Sequence, residues 1–384
     1  MTVHFAPIPK CKSLVKALFS SPSNGNPWLS EIPGGSVHLY SRGLYALADG
    51  VKIILGNRGK NEGKVWLPDY FCKEPLILLR NNNISLDFYP IKEDLSPDWD
   101  AIENDIRKTC SPDILILVHY FGFPNQIDKA RNLCDIYKID LLEDAAHMLL
   151  PSNGMGQSVV IFSPRKYLPI PEGGVLYIPE RFTDNSTENV SNSCKYKMVS
   201  KWIVRRLTQR IMLIFHIPWY KFKKFLQRGV NNNGQYISGN NSEAFPDKFT
   251  LRLLSLIEQD LDNVIEKRRE NYVRLCQAVN GIKGVRILFP TLQDKVCPYM
   301  FPIIVSEGTD LIKRKLQDHG IPASSWPDLP DEVLETKDEH ESAIWLREHI
   351  LLLPIHQDLS EKQMEHLATA VSNVLREMDL SLIV

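Results

Sequence analysis

Asp144, His147, Ser163 and Lys166 are the residues whose types and spacing suggest chemistry in this chain. They lie in one stretch, LLEDAAHMLLPSNGMGQSVVIFSPRKYLPIPEGGVLYI, from Leu141 to Ile178. A short, mostly apolar run, Ile139 to Leu142, leads into Glu143-Asp144-Ala-Ala-His147. A second, Val159 to Phe162, leads into Ser163 and Lys166, and Glu172-Gly173-Gly174 opens a third, Val175 to Ile178. Short apolar runs bounded by polar residues and glycine read as buried strands. Ligands of open α/β sheets sit at the carboxyl ends of strands, so these side chains are expected to meet in one crevice. A lysine in a dry pocket has a lowered pKa and becomes a nucleophile and proton carrier. A buried carboxylate favours the protonated form of a nitrogen base beside it. Each residue alone also has a plainer reading: Asp144 as a helix cap, Lys166 as a solvated charge, His147 as a packed ring, the Gly pair as a turn.

The elements that must position these groups alternate along the chain. Val37 to Tyr40 reads as a strand, followed by a turn at Ser41-Arg42-Gly43-Leu44 and a mostly apolar helix to Leu55. Such a helix start offers free N–H groups and a positive dipole end, which suit a phosphate. Val65 to Pro68 is a strand ending in Asp69-Tyr70-Phe71-Cys72, and Leu86 to Tyr89 another. Ile114 to Val118 is continuously apolar, as expected of a strand buried on both faces. Asn125 to Lys138 is a helix feeding the strand at Ile139. Strands alternating with helices imply a mainly parallel sheet with right-handed crossovers. Lys248 to Asn280 has one long helical pattern carrying the basic cluster Lys267-Arg268-Arg269. After it, a strand at Tyr299 to Val305, a helix at Asp310 to His319, a strand at His349 to Leu353 and a helix at Glu361 to Arg376 read as a smaller α/β domain. The expected division is an N-terminal arm over 1–35, a large domain over 36–245, and a linking helix with the small domain over 246–384.

Several classes of function are disfavoured. The formal net charge of −1 gives no electrostatic footprint for nucleic acid. Seven cysteines without a C-x-x-C pair suit reduced thiols in a cytoplasmic protein better than a disulfide framework. No secretory signal and no spanning helix are expected. The histidines are scattered without zinc spacing, so no metal is expected. No G-x-S-x-G elbow or complete dinucleotide fingerprint occurs. One segment stands apart: Lys195 to Arg228 holds ten Lys or Arg and no Asp or Glu, with Ile203, Leu207, Ile211 and Ile214 at helical spacing and many aromatics. Basic amphipathic segments of this kind cover a protein's own core, line the entrance for an anionic substrate, or lie on an anionic membrane surface.

The stretch around Asp144 and Lys166 resembles the DegT/DnrJ/EryC1/StrS family of pyridoxal-phosphate (PLP) sugar aminotransferases. That family has an acidic-Asp-Ala-Ala-(His or Gln) turn, a Phe-Ser run, a Schiff-base lysine and, six residues on, a Glu-Gly-Gly turn, a spacing that Lys166 and Glu172 keep. The Ser-to-Lys interval is shorter here than in the usual family form. The resemblance implies fold type I of the PLP-dependent transferases: a large domain with a mainly parallel sheet and a smaller C-terminal α/β domain. It also implies site roles. Lys166 is the residue that carries PLP and shuttles the proton, Asp144 partners the ring nitrogen, and His147 stacks on or near the ring. Ser163, with the turn at Arg42, Gly43 and Leu44, receives the phosphate, although Leu44 stands where the family has Thr. Tyr70 or Phe71 supplies an aromatic face. The Asn-x-Arg motif that reaches the partner subunit in the family has no counterpart in FPDKFTLRLL beyond the candidate Arg252. The implied function is amino transfer, with glutamate as donor, onto a keto group of a nucleotide-linked sugar by a cytoplasmic homodimer. Readings kept beside it are an aminotransferase or dehydratase acting on a lipid-linked or otherwise unusual substrate, and a non-catalytic or regulatory protein on the same scaffold with peripheral membrane contact through 195–228.

Overall fold

The computed structural model describes residues 1–20, 32, 34–109, 111–182, 196–215 and 244–378. Helix α1 (Cys11–Phe19) precedes strand β1 (Gly35–Tyr40) and α2 (Gly43–Asn57). Then come β2 (Lys64–Pro68), α3 (Lys73–Asn81), β3 (Ser85–Tyr89), α4 (Trp99–Lys108), β4 (Ile114–Val118), α5 (Ile127–Tyr137) and β5 (Asp140–Ala145), closed by β6 (Val159–Phe162) and β7 (Gly174–Pro179). These strands form one sheet in the order β1-β7-β6-β5-β4-β2-β3. The pairs from β3 across to β6 are parallel, and β7 runs antiparallel to both β6 and β1. All five residues of β4 are buried, so helices cover both faces, as a parallel sheet requires. The expected mainly parallel architecture is the one observed.

The rest of the described chain holds α6 (Tyr196–Ile214), α7 (Lys248–Ile257), α8 (Leu261–Val279), β8 (Val285–Ile287), β9 (Phe301–Val305), α9 (Thr309–Asp318), α10 (Asp331–Glu335), α11 (Glu341–His349), β10 (Ile350–Leu353) and α12 (Glu361–Glu377). Strands β10, β9 and β8 make a separate antiparallel sheet. The single long helix expected over 248–280 is instead two, divided by a 3₁₀ turn at Glu258–Asp260, where Asp260 leaves the helical region (φ −123°, ψ 20°). The two halves serve different cores. Phe249, Leu253 and Leu254 of α7 pack with Leu14 and Ala17 of α1. Tyr272, Leu275 and Val279 of α8 pack with Phe301 and Ile303 of β9. Of the basic aromatic segment, α6 lies within the described residues. The segment's aromatic residues Trp219, Tyr220, Phe222 and Phe225 lie outside them. Among the described residues no helix is long and apolar enough to cross a membrane.

Residues 2–9 lie along the small sheet's helices: Val3 N–H donates to Gly320 O (3.0 Å), Gln363 Nε2 to Thr2 O (3.0 Å), and Ile8 N–H to Asp358 Oδ2 (3.0 Å). His356 Nε2 donates to His4 O at 2.9 Å, and the two imidazoles lie 4.4 Å apart. Among the described residues neither ring nitrogen of His4 has a hydrogen-bond partner. Burial, then the charges of Arg206 and Arg210, lower the His4 pKa from 6.5 to about 4. The folded-state pKa lies below the unfolded one, so between these values the unfolded chain binds more protons, and stability falls as pH drops through that window. The His4 share of that loss is up to about 3 kcal/mol. Urea melts at about pH 7 and about pH 4.5 should show it, and His4→Gln should flatten the difference by that amount.

Candidate active site

A cleft of about 270 Å³ opens at the carboxyl ends of the parallel strands, near the small end of the size range of ligand sites. Val118, Asp144 and Ile161 reach it from β4, β5 and β6, and Ser163 and Lys166 from the turn after β6. Strand pairing sets this convergence: Val118 is opposite Asp144, and Ala145 is opposite Phe162, the residue before Ser163. The short Ser-to-Lys interval is taken up by a single 3₁₀ turn at Pro164–Lys166, with Lys166 N–H on Ser163 O (3.0 Å) and Tyr167 N–H on Pro164 O (2.9 Å).

The first turn of α2 borders the same cleft through Gly43 and Leu44. A Cβ added at Gly43 would lie 3.5 Å from Ser163 Cβ, so the helix start and the Ser163 hydroxyl face one space. That proximity depends on Gly174, where a Cβ would stand 2.4 Å from the Arg42 carbonyl; only a residue without one lets the end of β1 lie so close to β7. Gly173 N–H donates to Ser41 O at 2.7 Å, and Glu172 Oε2 accepts from Asp247 N–H at 2.7 Å, fixing this turn to the start of α7.

Alternation along β5 separates the acidic pair. Glu143 is fully buried, accepting from His119 Nε2 (3.1 Å) and Ser158 Oγ (2.5 Å), with His119 Nδ1 accepting from Asn125 N–H (2.9 Å). It is a satisfied core group. Asp144 points the other way, into the cleft, with Oδ1 accepting from Ala146 N–H at 2.9 Å. Burial raises its pKa, opposed by the Lys166 charge, the Ala146 N–H and His119. Burial lowers the Lys166 pKa, opposed chiefly by Asp144. Among the described residues Lys166 Nζ has no hydrogen bond and no ion pair within 4 Å, so its amine is free toward the cleft. Burial, then Lys166, holds His147 well below its ordinary pKa, so it is neutral. Its Nδ1 accepts from Phe121 N–H (3.4 Å), which leaves the proton on Nε2.

The His147 ring is stacked between Phe121 (5.6 Å) and Tyr299 (5.0 Å), with Trp326 edge-on at 5.6 Å. Of the two aromatic candidates, Phe71 lines the cleft, as does Cys72, whose thiol burial pushes up to about 11. Tyr70 does not line it: it is fully buried and stacked on the back of Trp326 at 4.6 Å. Arg42 lines the cleft mouth beside Glu74 (3.4 Å). Arg165 lines it, exposed to solvent and with no ion pair among the described residues. Arg252 donates to Leu18 O (3.4 Å) and is not among the cleft residues. Sequence reasoning missed Phe5, Arg165, Tyr299 and Trp326. Adjacency to Lys166 was a signal for Arg165. The others come from distant segments with no local pattern.

Residues 84–195 match the model of the DegT/DnrJ/EryC1/StrS aminotransferase family, the family that the motif resembles. No curated protein matches the chain. Solved structures do. The aminotransferase TlmJ from Streptoalloteichus hindustanus superposes with a TM-score of 0.68 at 17% identity, covering 98% of this chain and 99% of that one. Helicobacter pylori PseC, an aminotransferase involved in the biosynthesis of pseudoaminic acid, gives 0.67 at 15% identity, with 98% and 99% covered. The putative sugar aminotransferase Spr1654 from Streptococcus pneumoniae gives 0.69 at 14% identity in its PMP form, with 98% of each chain covered, and is also known in a PLP form. The fold is that of the PLP-dependent aminotransferases, and the matched family and these neighbours are aminotransferases with sugar-related roles among them.

Proposed function

We propose that this chain is a PLP-dependent sugar aminotransferase that moves an amino group, with glutamate as donor, onto a keto group of a nucleotide-linked sugar, and that it works as a homodimer. One observation carries the reading: an unpartnered lysine amine and a buried carboxylate, Lys166 and Asp144, line the same cleft. The residues fit the cofactor's parts. Ser163, Gly43, Leu44 and Arg42 would hold the phosphate at the start of α2, where the Arg42 charge offsets the hydroxyl that Leu44 lacks. Phe71 offers a ring face, whereas His147, stacked on Phe121 and Tyr299, presents its edge rather than a face.

When bound, PLP withdraws electrons from the bond to be broken and carries the amino group between substrates. The protein's own groups do the rest. Lys166, with its proton affinity lowered by burial, would supply the amine that holds PLP and the base that moves a proton to and from the donor's α-carbon. Asp144 would favour the protonated form of the ring nitrogen through a charge-assisted contact worth about 1.5–3 kcal/mol. Neutral His147 keeps Nε2–H available as a donor without placing a second cation beside Lys166.

A peripheral role for 195–228 is supported by α6. Val204, Ile211 and Ile214 are exposed along it, with Lys201 and Arg205 beside them, while Arg210 on the inner side donates to Pro9 O (2.9 Å). A cationic, apolar stripe of this kind suits an anionic membrane surface.

The test has two parts. The PLP-loaded protein should absorb as a lysine-linked cofactor. Glutamate should convert that band to the pyridoxamine form, and a keto-sugar nucleotide should restore it. A protein that never takes up PLP would favour the non-catalytic scaffold. Sedimentation with anionic vesicles should carry the chain down and neutral vesicles should not; no difference would remove the membrane contact.

A further inference from the structure

Arg268, in the middle of α8, is 1% exposed and has no carboxylate partner among the described residues. Its donors go to neutral oxygens instead: Nε to Gln357 Oε1 (2.9 Å), Nη1 to Tyr299 O (2.9 Å) and Pro298 O (3.3 Å), and Nη2 to Tyr167 O (3.2 Å). The guanidinium also lies 4.6 Å from the centre of the Tyr167 ring. Among the described residues no carboxylate lies within ion-pair distance of the guanidinium, and the Asp358 charge acts on it only from farther off, so the buried cation is poorly compensated and an apolar side chain would fill the same place at lower cost. Stability therefore gives a poor reason for an arginine here.

Its contacts give a better one. Tyr167 follows Lys166, and Tyr299 is the ring stacked on His147. Tyr167 is held at each end. Its carbonyl also accepts from Gln357 Nε2 (3.0 Å), and its hydroxyl lies 2.6 Å from His147 O and 2.9 Å from Cys297 O. Lys166 itself stands on one 3₁₀ turn, a form with weak hydrogen bonds and little rigidity of its own. What fixes that turn comes from outside it: from α8 and the Gln357 segment at the Tyr167 carbonyl, and from the His147 and Cys297 carbonyls at its hydroxyl.

We propose that Arg268 and Tyr167 are positioning residues: Arg268 sets Tyr167 and Tyr299, and through them the backbone of Lys166 and the ring of His147. The proposal rests on the reading of Lys166 as the residue that takes PLP. A reactive amine displaced by about 1 Å loses on the order of 100-fold in rate, so a clamp on its backbone acts on reactivity without touching the cofactor.

The experiment compares the unmodified chain with Tyr167→Phe, Arg268→Lys, Arg268→Met and a control, Arg269→Met, all loaded with PLP. Three quantities are read: the site labelled on borohydride reduction, the pH midpoint of the PLP absorption band, and the rate constant of covalent uptake. Thermal melts and circular dichroism report folding separately. The label is expected on Lys166 throughout. Tyr167→Phe should move the midpoint by about one unit and slow uptake about tenfold. Arg268→Met should do more, and Arg268→Lys less than Arg268→Met. Arg269→Met, on the same helix but bonded to Gln293 O and Val296 O, should leave midpoint and rate unchanged. Label on Lys166 with midpoints and rates unchanged in folded Tyr167→Phe and Arg268→Lys overturns the positioning role alone. Label elsewhere in the unmodified chain overturns both that role and the reading it rests on.

Discussion

Lys166→Ala is expected to abolish covalent PLP uptake and to lower amino transfer by about 10⁴-fold, the upper end of what a positioned acid–base group contributes. The physical case is the isolation of this amine. The Lys166 Nζ has no ion pair or hydrogen bond among the described residues, and burial already weakens its hold on a proton. Arg165 cannot stand in, because a guanidinium stays protonated. Cys72, the other nucleophilic atom in the cleft, has its thiol pushed up to about 11 by burial and is uncharged near neutral pH. Removing Lys166 also removes the main charge that favours the Asp144 carboxylate, so the Asp144 pKa should rise further. The check is single-turnover conversion with glutamate, with added small amines as rescue. Recovery of part of the rate by an amine of suitable size is the expected result.

Asp144→Asn should cost about 10³-fold, the scale of losing one preorganised electrostatic partner. Asn keeps the shape and can still accept from Ala146 N–H, but it carries no charge to hold a proton on a ring nitrogen. Two further consequences distinguish charge loss from misfolding. Asp144 is the leading influence that keeps the Lys166 pKa from falling further, so without it the amine gives up its proton at lower pH. The acid limb of the rate profile should therefore move down. A buried carboxylate is also costly to desolvate, so the melting temperature of the Asn variant should be equal or higher. A lowered rate with a lowered melting temperature and an unmoved acid limb would mean that Asp144 is structural.

Much of the scaffold was legible because its strands are short apolar runs ended by polar residues. Val159 to Phe162 is a strand with those bounds, and Ile114 to Val118 is buried throughout as its composition demands. The convergence of Asp144, His147, Ser163 and Lys166 was legible because parallel neighbours place successive strand ends side by side. The choice between Tyr70 and Phe71 was not. At the end of β2 the sequence gives no register for the turn, and stacking on Trp326 from a distant segment takes Tyr70 into the core. The break in the helix expected at 248–280 was hidden because each half keeps its own apolar spacing. Arg268 sits in a basic cluster with no local mark of burial, and only tertiary packing separates it from half-exposed Lys267. Long-range contacts to oxygens leave no pattern in the chain.

The point of attachment of PLP is the most direct test. Borohydride reduction of the PLP-loaded protein, followed by peptide mapping, should place one pyridoxyl group on Lys166, and the same treatment of Lys166→Ala should leave the chain unlabelled. A label on any other lysine, or none on the unmodified protein at saturating PLP, would contradict it.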